Sequence, residues 1–392
     1  MNYDAAYFDT GIDRMGTCSS KWSAPGLMRV GVIPMWVADM DFPCAQPIRD
    51  ALVHRASHAC YGYTYEDEPG KDAARSFWAR RHNVDFAHED TIMMPTVVSG
   101  LRTCVNALTC ERDGVIILTP VYPPFYSSTS NANRRILEAP LARDQAGRYH
   151  MDLTIIEEHL KSGARLILLC SPHNPVSRLW SEQELDALFA LAIQYDAIVV
   201  SDEIHADFVY APGKFVSTLK KPEWSAHVVA LLAGSKTFNI AGLKQSLMVC
   251  REPKTRAKLL NWVQNAGIDC GNLFALEANK AAYTLCDDWL DGLLEYLDGN
   301  RDIISTTLAD RLPKAVVTPI EATFLAWVDV RAYSMDNEAI IQHCLDAGVL
   351  PSDGSSFGKE SGRGFLRINF GCPRSQLNEG LHRLAAAVSG MA

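Results

Sequence analysis

Four short apolar runs dominate the middle of the chain. They cover residues 115–118, 166–169, 197–200 and 228–233, and in each of them apolar residues follow one another instead of alternating with polar ones. This pattern is typical of strands that are buried on both faces, as in a parallel sheet covered by helices. The runs therefore predict four strands of one buried sheet.

A helix is predicted between the second and third runs, over residues 181–195. Ser181 and Glu184 form a Ser-x-x-Glu capping pattern at its start. Apolar residues then recur at helical spacing: Leu185, Leu188, Phe189 and Ala192. A strand–helix–strand order implies right-handed crossovers, so we expect an α/β fold with a mostly parallel sheet between helices.

The C-terminal part mixes both patterns: helices at 288–312 and 337–347, and strands at 324–330 and 364–369. We therefore expect two domains, in line with a length of 392 residues. The large domain is predicted at 46–285 and a smaller α+β domain at 286–392. Residues 1–45 are predicted to form an N-terminal arm and part of the small domain.

Composition narrows the class of protein. The formal net charge of −9 argues against a nucleic-acid or anionic-membrane binder. The sequence contains no apolar stretch of membrane-spanning length, and its first residues are too polar for a signal peptide. Eleven scattered cysteines without a Cys-x-x-Cys pair indicate reduced thiols, so we expect a cytoplasmic protein.

Four side chains with useful chemistry follow the four predicted strands: Tyr122, Asn174, Asp202 and Lys236. Open α/β sheets bind ligands at this edge. A lysine there can bond to the aldehyde of pyridoxal 5′-phosphate (PLP) and later act as a base. Asp202 can keep a pyridine nitrogen protonated, so that the ring withdraws electrons.

Asn174 can donate its amide to a phenolic oxygen, and Tyr122 offers a flat ring for stacking. Each of the four also has an ordinary explanation: a surface lysine, a helix-capping aspartate, a turn asparagine and a core tyrosine. Their joint occurrence after four strands favours a PLP site.

Three motifs strengthen this interpretation: Ser-Pro-His-Asn-Pro at 171–175, Ser-Asp-Glu-Ile-His at 201–205 and Gly-Ser-Lys-Thr-Phe-Asn at 234–239. In this order they resemble the fold-type I PLP enzymes of the class I/II aminotransferase superfamily. The resemblance is closer to the C-S lyase branch, the MalY/PatB-like cystathionine β-lyases. Further matching segments lie at 34–42, 61–64, 121–125, 321–327, 366–369 and 372–374.

The resemblance implies a set of cofactor contacts. Lys236 becomes the covalently attached lysine, Asp202 the partner of the pyridine nitrogen and Tyr122 the stacking ring. Asn174 and His205 should contact the phenolic oxygen. The phosphate should be bound by Val98, Ser99, Gly100, Ser235 and Lys244. A turn of small residues at a helix start suits a phosphate, because it presents free N–H groups.

The resemblance also implies how substrate and partner are held. Arg367 should bind the α-carboxylate of an amino acid, for which its planar fork is suited, and Ala38 should lie beside it. Taken alone, Arg367 could also form a structural ion pair. Tyr63 should reach the phosphate of a neighbouring subunit, which implies a homodimer with shared sites.

Substrate selectivity should depend on three segments, 36–41, 122–126 and 352–359. The chain departs from the family pattern at two places. Ser177 stands where the family usually has glycine, and Phe370-Gly371 stands where smaller residues are common. The second departure lies close to Arg367 and bears on the shape of the substrate pocket.

The expected reaction is a β-elimination on L-cystathionine or a related cysteine S-conjugate, which yields a thiol, pyruvate and ammonia. An aminotransferase would use the same lysine, aspartate and arginine, and a regulatory protein-binding role on the same fold is a further alternative. His54 and His58 are four residues apart and could bind a metal, but no third ligand is evident, so no metal is expected.

Overall fold

Two sheets with flanking helices organise the protein in this computed structural model, which describes residues 2–25, 29, 31–65, 68–268 and 272–391. The strands are β1 Ile33–Met35, β2 Thr91–Met94, β3 Gly114–Thr119, β4 Arg135–Pro140, β5 Ala142–Arg143, β6 Tyr149–His150, β7 Leu166–Cys170, β8 Ile198–Asp202, β9 Val228–Leu232, β10 Ser246–Val249, β11 Val316–Val317, β12 Leu325–Asp329, β13 Val349–Asp353 and β14 Phe365–Asn369.

The helices connect these strands and cover the sheets. They are α1 Ala5–Asp9, α2 Gln46–Ser57, α3 Glu68–His82, α4 Val97–Leu108, α5 Pro124–Ser130, α6 Leu153–Lys161, α7 Glu182–Gln194, α8 Gly234–Thr237, α9 Pro253–Asn265, α10 Leu273–Leu285, α11 Asp287–Arg311, α12 Asn337–Asp346 and α13 Arg374–Ser389.

The larger sheet has seven strands in the order β2-β10-β9-β8-β7-β3-β4. The five strands from β9 to β4 are parallel, and β10 runs antiparallel to both of its neighbours. The four strands predicted from the apolar runs are confirmed as β3, β7, β8 and β9, and they are adjacent in the sheet. Their carboxyl ends consequently meet at one edge.

Both faces of this sheet are buried, which explains the continuous apolar runs. Along β3, Val115 and Ile117 pack into one hydrophobic cluster, whereas Ile116 and Leu118 pack into the other. Residues of α4 and α9 cover the first face, and residues of α6 and α7 belong to the cluster on the second. Helix α7 begins at the predicted capping box, where the Ser181 hydroxyl accepts from the Glu184 N–H at 3.2 Å.

The smaller sheet joins the beginning of the chain to its end. Its order is β1-β13-β14-β12-β11, with β1 parallel to β13 and the other pairs antiparallel. The predicted C-terminal helices and strands are present as α11, α12, β12 and β14. Pairing of β1 with β13 places part of the first 45 residues in the C-terminal layer, while the boundaries at 45 and 285 stay predictions.

Ser177 lies at the junction between the two layers and has a left-handed backbone, with φ of 56°. Its carbonyl oxygen accepts from the N–H groups of Glu321 and Ala322, each at 3.1 Å. Its buried hydroxyl donates to the Leu325 carbonyl and lies 3.2 Å from the Thr323 hydroxyl. The left-handed backbone at this position favours glycine, the residue that the family usually has here. The contacts of the Ser177 hydroxyl and carbonyl explain why a serine is held in this conformation.

The structure also bears on two possibilities raised by the sequence, a membrane-spanning helix and a metal site. In the described ranges no helix is long and apolar enough to cross a bilayer. His54 lies in the last turn of α2, and His58 follows the helix with extended backbone. No group of three or more histidine, cysteine or acidic side chains that could hold a metal occurs among the residues that the structure describes.

Replacing Ser177 tests how the junction is held. Ser177→Ala removes the buried hydroxyl and keeps the strained backbone, so we expect the free energy of unfolding to fall by about 2 kcal/mol. Ser177→Gly removes the same hydroxyl but relieves the strain, so its loss should be smaller by roughly 1 kcal/mol. Denaturant unfolding of both variants measures this difference, and equal losses would contradict the assigned strain.

Candidate active site

The carboxyl ends of β3, β7, β8 and β9 open into one cavity of about 180 Å³, here called the inner cavity. Four predicted residues line it, one from the segment after or at the end of each strand: Tyr122, Asn174, Asp202 and Lys236. Parallel strands bring these positions together because their carboxyl ends share an edge of the sheet.

A second cavity of about 470 Å³, the outer cavity, lies against the first and shares Ala38, Tyr122 and Lys236 with it. Arg367 of β14 lies in its wall. The three segments expected to control substrate selectivity, 36–41, 122–126 and 352–359, all contribute to its lining. Lys236 therefore stands at the boundary between two chambers, one formed by the larger sheet and one shared with the smaller sheet.

Lys236 lies in the short helix α8, directly after β9, and its ammonium donates to the Ala38 carbonyl. Burial lowers the pKa of Lys236 to about 8, and the positive charge of Arg367 acts in the same direction. Asp39 and Asp202 oppose this shift because a nearby negative charge favours the ammonium form. The net result is an amine that loses its proton far more easily than an ordinary lysine.

Asp202 is the last residue of β8, and its side chain is buried in the inner cavity. One carboxylate oxygen accepts from the Ile204 N–H at 3.1 Å. Burial raises the pKa of Asp202 to about 7, although this N–H and Lys236 both counteract the shift. A buried carboxylate of this kind is stabilised by a positively charged or donating partner in the cavity.

Asn174, Tyr122 and Arg367 form a connected group between the cavities. The Tyr122 N–H donates to the Asn174 carbonyl at 3.1 Å, and Arg367 donates to the Asn174 side-chain oxygen at 3.1 Å. Arg367 also donates to the Trp36 carbonyl and, at 3.1 Å, to the Ser352 hydroxyl. Asn174 thus links the loop after β7 to an arginine of the smaller sheet.

Two buried nitrogens in this region have no hydrogen-bond partner within the described part of the chain, His205 Nδ1 and Arg367 Nε. Burial lowers the pKa of His205 to about 3, and the charges of Lys236 and Arg367 contribute, so this imidazole is neutral at physiological pH. The Arg367 guanidinium lies over the Phe357 ring, 4.6 Å from its centroid. Buried polar atoms without a partner at a cavity indicate a ligand-binding region.

The predicted phosphate turn differs in detail from the expected set. Val98 lines the inner cavity, but Ser99 and Gly100 do not. Ser99 is used in the cap of α4: its N–H donates to the Thr96 hydroxyl at 3.0 Å and its own hydroxyl donates to the Thr96 carbonyl at 2.6 Å. Gly100 faces the sheet, where an added Cβ would lie 2.8 Å from a methyl carbon of Leu231.

The cavity-facing part of this turn is therefore Thr96, Val97 and Val98. The first N–H groups of a helix have no partner within the helix and favour an anion. Thr96 was not among the residues predicted to line the site. The Thr-x-x-Ser spacing before the apolar positions of α4 was nevertheless a signal that a helix begins here. Trp36 and Ser352, which hold Arg367, left no such local signal because their contacts are long-range.

Ser235 and Lys244 line the inner cavity as expected. Tyr63, which is expected to reach the phosphate of a neighbouring subunit, lies outside the inner cavity of its own chain: its side chain is fully exposed and lines a separate surface cleft with Asn272 and Phe274. Within one chain the structure thus brings together all of the expected cofactor-binding side chains except Ser99, Gly100 and Tyr63.

The inner cavity fits PLP by the chemistry of its donors and acceptors. A buried carboxylate, Asp202, suits a pyridinium nitrogen, and the unpartnered nitrogen of His205 and the amide of Asn174 suit a phenolic oxygen. A helix start and Lys244 suit a phosphate, and Lys236 supplies the amine for covalent attachment.

Comparison with known proteins agrees with this chemistry. The family model described as aminotransferase class I and II matches residues 37–384.

The chain belongs to the class I and II aminotransferase family. Among its relatives, cystathionine beta-lyase PatB of Bacillus subtilis is 37% identical over 97% of this chain and 100% of its own length. Cystalysin from Treponema denticola, whose crystal structure contains PLP, matches all of both chains with a TM-score of 0.94 at 30% identity. The PLP-bound C-S lyase from Staphylococcus hominis, complexed with L-cycloserine, covers 97% of this chain and 98% of its own with a TM-score of 0.90 at 28% identity.

These matches show the fold-type I architecture of this family, the PLP cofactor and the C-S lyase branch. The likeness extends over nearly the whole chain, so both layers belong to the shared architecture.

The lowered pKa of Lys236 predicts how cofactor attachment depends on pH. An amine bonds to an aldehyde only when it is unprotonated, so the rate of covalent PLP incorporation into the apoprotein should rise with pH and reach half of its maximum near pH 8. Stopped-flow absorbance measures this rate. An ordinary lysine would place the midpoint above pH 10.

Reduction with borohydride followed by peptide mapping provides the control for this experiment. The pyridoxyl group should be found on residue 236, and Lys236→Ala should show no covalent incorporation. Label on another lysine would overturn the assignment.

Proposed function

We propose that this protein is a PLP-dependent carbon-sulfur β-lyase that acts on L-cystathionine or related cysteine S-conjugates and releases a thiol, pyruvate and ammonia. The observation that carries the proposal is the position of Lys236, which faces both cavities. A group at this boundary can reach a cofactor on one side and the α-carbon of an amino acid on the other.

The inner cavity holds the cofactor. PLP, when bound, supplies an electron sink that makes the α-proton of an attached amino acid acidic. Asp202 is assigned to the pyridine nitrogen, where its negative charge keeps that nitrogen protonated, and Tyr122 to the face of the ring. His205 and Asn174 are assigned to the phenolic oxygen, and Thr96, Val98, Ser235 and Lys244 to the phosphate.

The outer cavity receives the substrate. Arg367 is assigned to the α-carboxylate, because its guanidinium is buried, faces this cavity and has an unpartnered Nε. A bidentate pair with a carboxylate suits its planar fork. The substituent on sulfur then extends along a wall that contains Leu350, Pro351 and Phe357.

Lys236 acts as the base. Its lowered pKa leaves about a tenth of the amine unprotonated at pH 7, compared with far less for an ordinary lysine. Once the substrate's own amine has replaced Lys236 on the cofactor, the freed lysine takes the α-proton, the carbon–sulfur bond at the β-carbon breaks, and the thiolate leaves with the bonding electron pair. The three-carbon product hydrolyses to pyruvate and ammonia.

Elimination, and not transamination, is supported by two relatives that each match 97% of the chain and are named for cystathionine β-lyase and C-S lyase activity. An aminotransferase with the same residues would return the proton to the cofactor and would require a 2-oxo acid.

Incubation with L-cystathionine tests the proposal. The PLP-loaded protein should release pyruvate and a free thiol in equal amounts without any added 2-oxo acid, and Lys236→Ala should lower the rate by at least about 10³-fold. Coupled lactate dehydrogenase and thiol assays follow both products. Turnover that depends on a 2-oxo acid would contradict elimination.

The exposed position of Tyr63 supports a homodimer in which each subunit completes the site of the other. Tyr63 and the cleft next to it lie outside both cavities of their own chain. A fully exposed tyrosine supplies a large contact area when a second copy covers it. A cytoplasmic location fits the ten described cysteines, all of which are free thiols.

Complementation between variants measures this sharing. Lys236→Ala and Tyr63→Ala should each have low activity as homodimers. After subunit exchange, a heterodimer would contain one site with both native residues, so about a quarter of all sites should become active in an equal mixture. Absence of recovery, in a mixture in which exchange is shown by mass spectrometry, would contradict a shared site.

A further inference from the structure

A buried cluster of ion pairs joins the N-terminal arm to the segment next to Lys236. Lys21 and Asp41 are each 1% exposed, and the Lys21 ammonium lies 2.8 Å from an Asp41 carboxylate oxygen. Arg14 contacts both Asp39, at 2.7 Å, and Asp41, at 2.8 Å. Of these four side chains only Asp39 has entered the chemistry described above, through the effect of its charge on Lys236.

The segment in question, residues 36–41, is here called the active-site strap. Its carbonyl groups accept from both principal cations of the site: the Trp36 carbonyl from Arg367 and the Ala38 carbonyl from Lys236. Asn369 donates to two further carbonyls of the strap, those of Val37 and Asp39. A displacement of the strap would therefore change the position of both catalytic-site cations.

Lys21 holds the strap at two points. Besides the ion pair with Asp41, its ammonium donates to the Asp39 carbonyl at 3.2 Å. Asp41 is in turn fully engaged, since it also accepts from Trp22 and Gln376, each at 2.8 Å. Below the strap Gly371 leaves room for Met40, because an added Cβ would lie 2.6 Å from the Met40 side chain.

Burial of a lysine and an aspartate is costly, and an apolar pair of the same volume is often as stable. A cluster that is buried for stability alone would not need to touch the strap through a backbone carbonyl. This cluster places two cations and two anions where they act on the position and on the charge of the adjoining site.

We propose that Lys21 is a positioning residue for Lys236: its buried ammonium fixes the active-site strap through Asp41 and the Asp39 carbonyl, and the strap in turn holds the Lys236 amine through the Ala38 carbonyl. This inference deepens the proposed function and rests on it for the role of Lys236 as a base.

The charges around Lys236 have opposing effects. Asp39 and Asp202 favour its ammonium form, whereas Arg367 and Lys21 favour the neutral amine. His205, Tyr122 and Lys244 line the same inner cavity. Lys21 and Asp39 belong to one ion-pair cluster, so removing either charge weakens that cluster. The two changes should nevertheless shift the pKa of Lys236 in opposite directions. This difference separates an electrostatic role from a merely structural one.

Competitive labelling of amines in the full-length apoprotein measures the pKa of Lys236 without substrate or turnover. Trace acetic anhydride is applied across a pH series, and the peptide that contains residue 236 is quantified by mass spectrometry. Lys21→Met should move the midpoint of Lys236 upward by roughly 0.5 unit, and Asp39→Asn should move it downward by a similar amount.

Lys221→Met provides the matched control, since Lys221 pairs with Glu182 and Asp186 at the surface and should leave the midpoint unchanged. Thermal unfolding confirms that each variant is folded. If Lys21→Met does not fold, the test uses Lys21→Gln together with Asp39→Asn, since the Asp39 side chain is more exposed than that of Lys21. An unchanged midpoint in these folded variants, or a shift of both in the same direction, overturns the proposal.

In the PLP-loaded protein, a pH titration of the cofactor absorbance should shift with the same signs. Because neither measurement depends on which reaction is catalysed, a failed elimination assay would leave this result intact. A normal elimination activity with no shift would refute the role of Lys21 alone.

Discussion

Burial of charge at one edge of a parallel sheet is the constraint on which the rest of the structure depends. Lys236, Asp202 and Arg367 are held together in a region of low polarity, and burial is the main cause of the pKa shift of each. Charged groups there interact strongly with one another and with a ligand. The closed hydrophobic packing on both faces of the sheet maintains this environment.

The two layers of the molecule have different parts in the site. The larger sheet supplies the side chains of the inner cavity from its strand ends, whereas β14 of the smaller sheet supplies Arg367. Two backbone carbonyls connect the layers: the Ala38 carbonyl of the active-site strap accepts from Lys236, and the Leu325 carbonyl accepts from Ser177. The two cavities meet at Lys236 because the chain returns to the same edge from both ends.

Much of the fold followed from local pattern. The runs at β3, β7, β8 and β9 were predictable because a strand buried on both faces has no polar positions. The chemical character of Lys236 and Asp202 was also predictable, since parallel strands bring their carboxyl ends together. Which residues of the predicted phosphate turn face the inner cavity was not predictable, because Ser99 could serve either as an anion ligand or as part of a helix cap, and both uses favour the same residue type.

The sequence by itself determined which residues meet at the inner cavity, since the motifs around Asn174, Asp202 and Lys236 combine residue type with position after a strand. Tertiary structure alone decided their protonation and their neighbours. The pKa of Lys236 depends on burial and on Asp39, Arg367 and Lys21, which lie far apart in the chain. Such contacts leave no local signal, because long-range packing, and not spacing along the chain, sets the distance between charges.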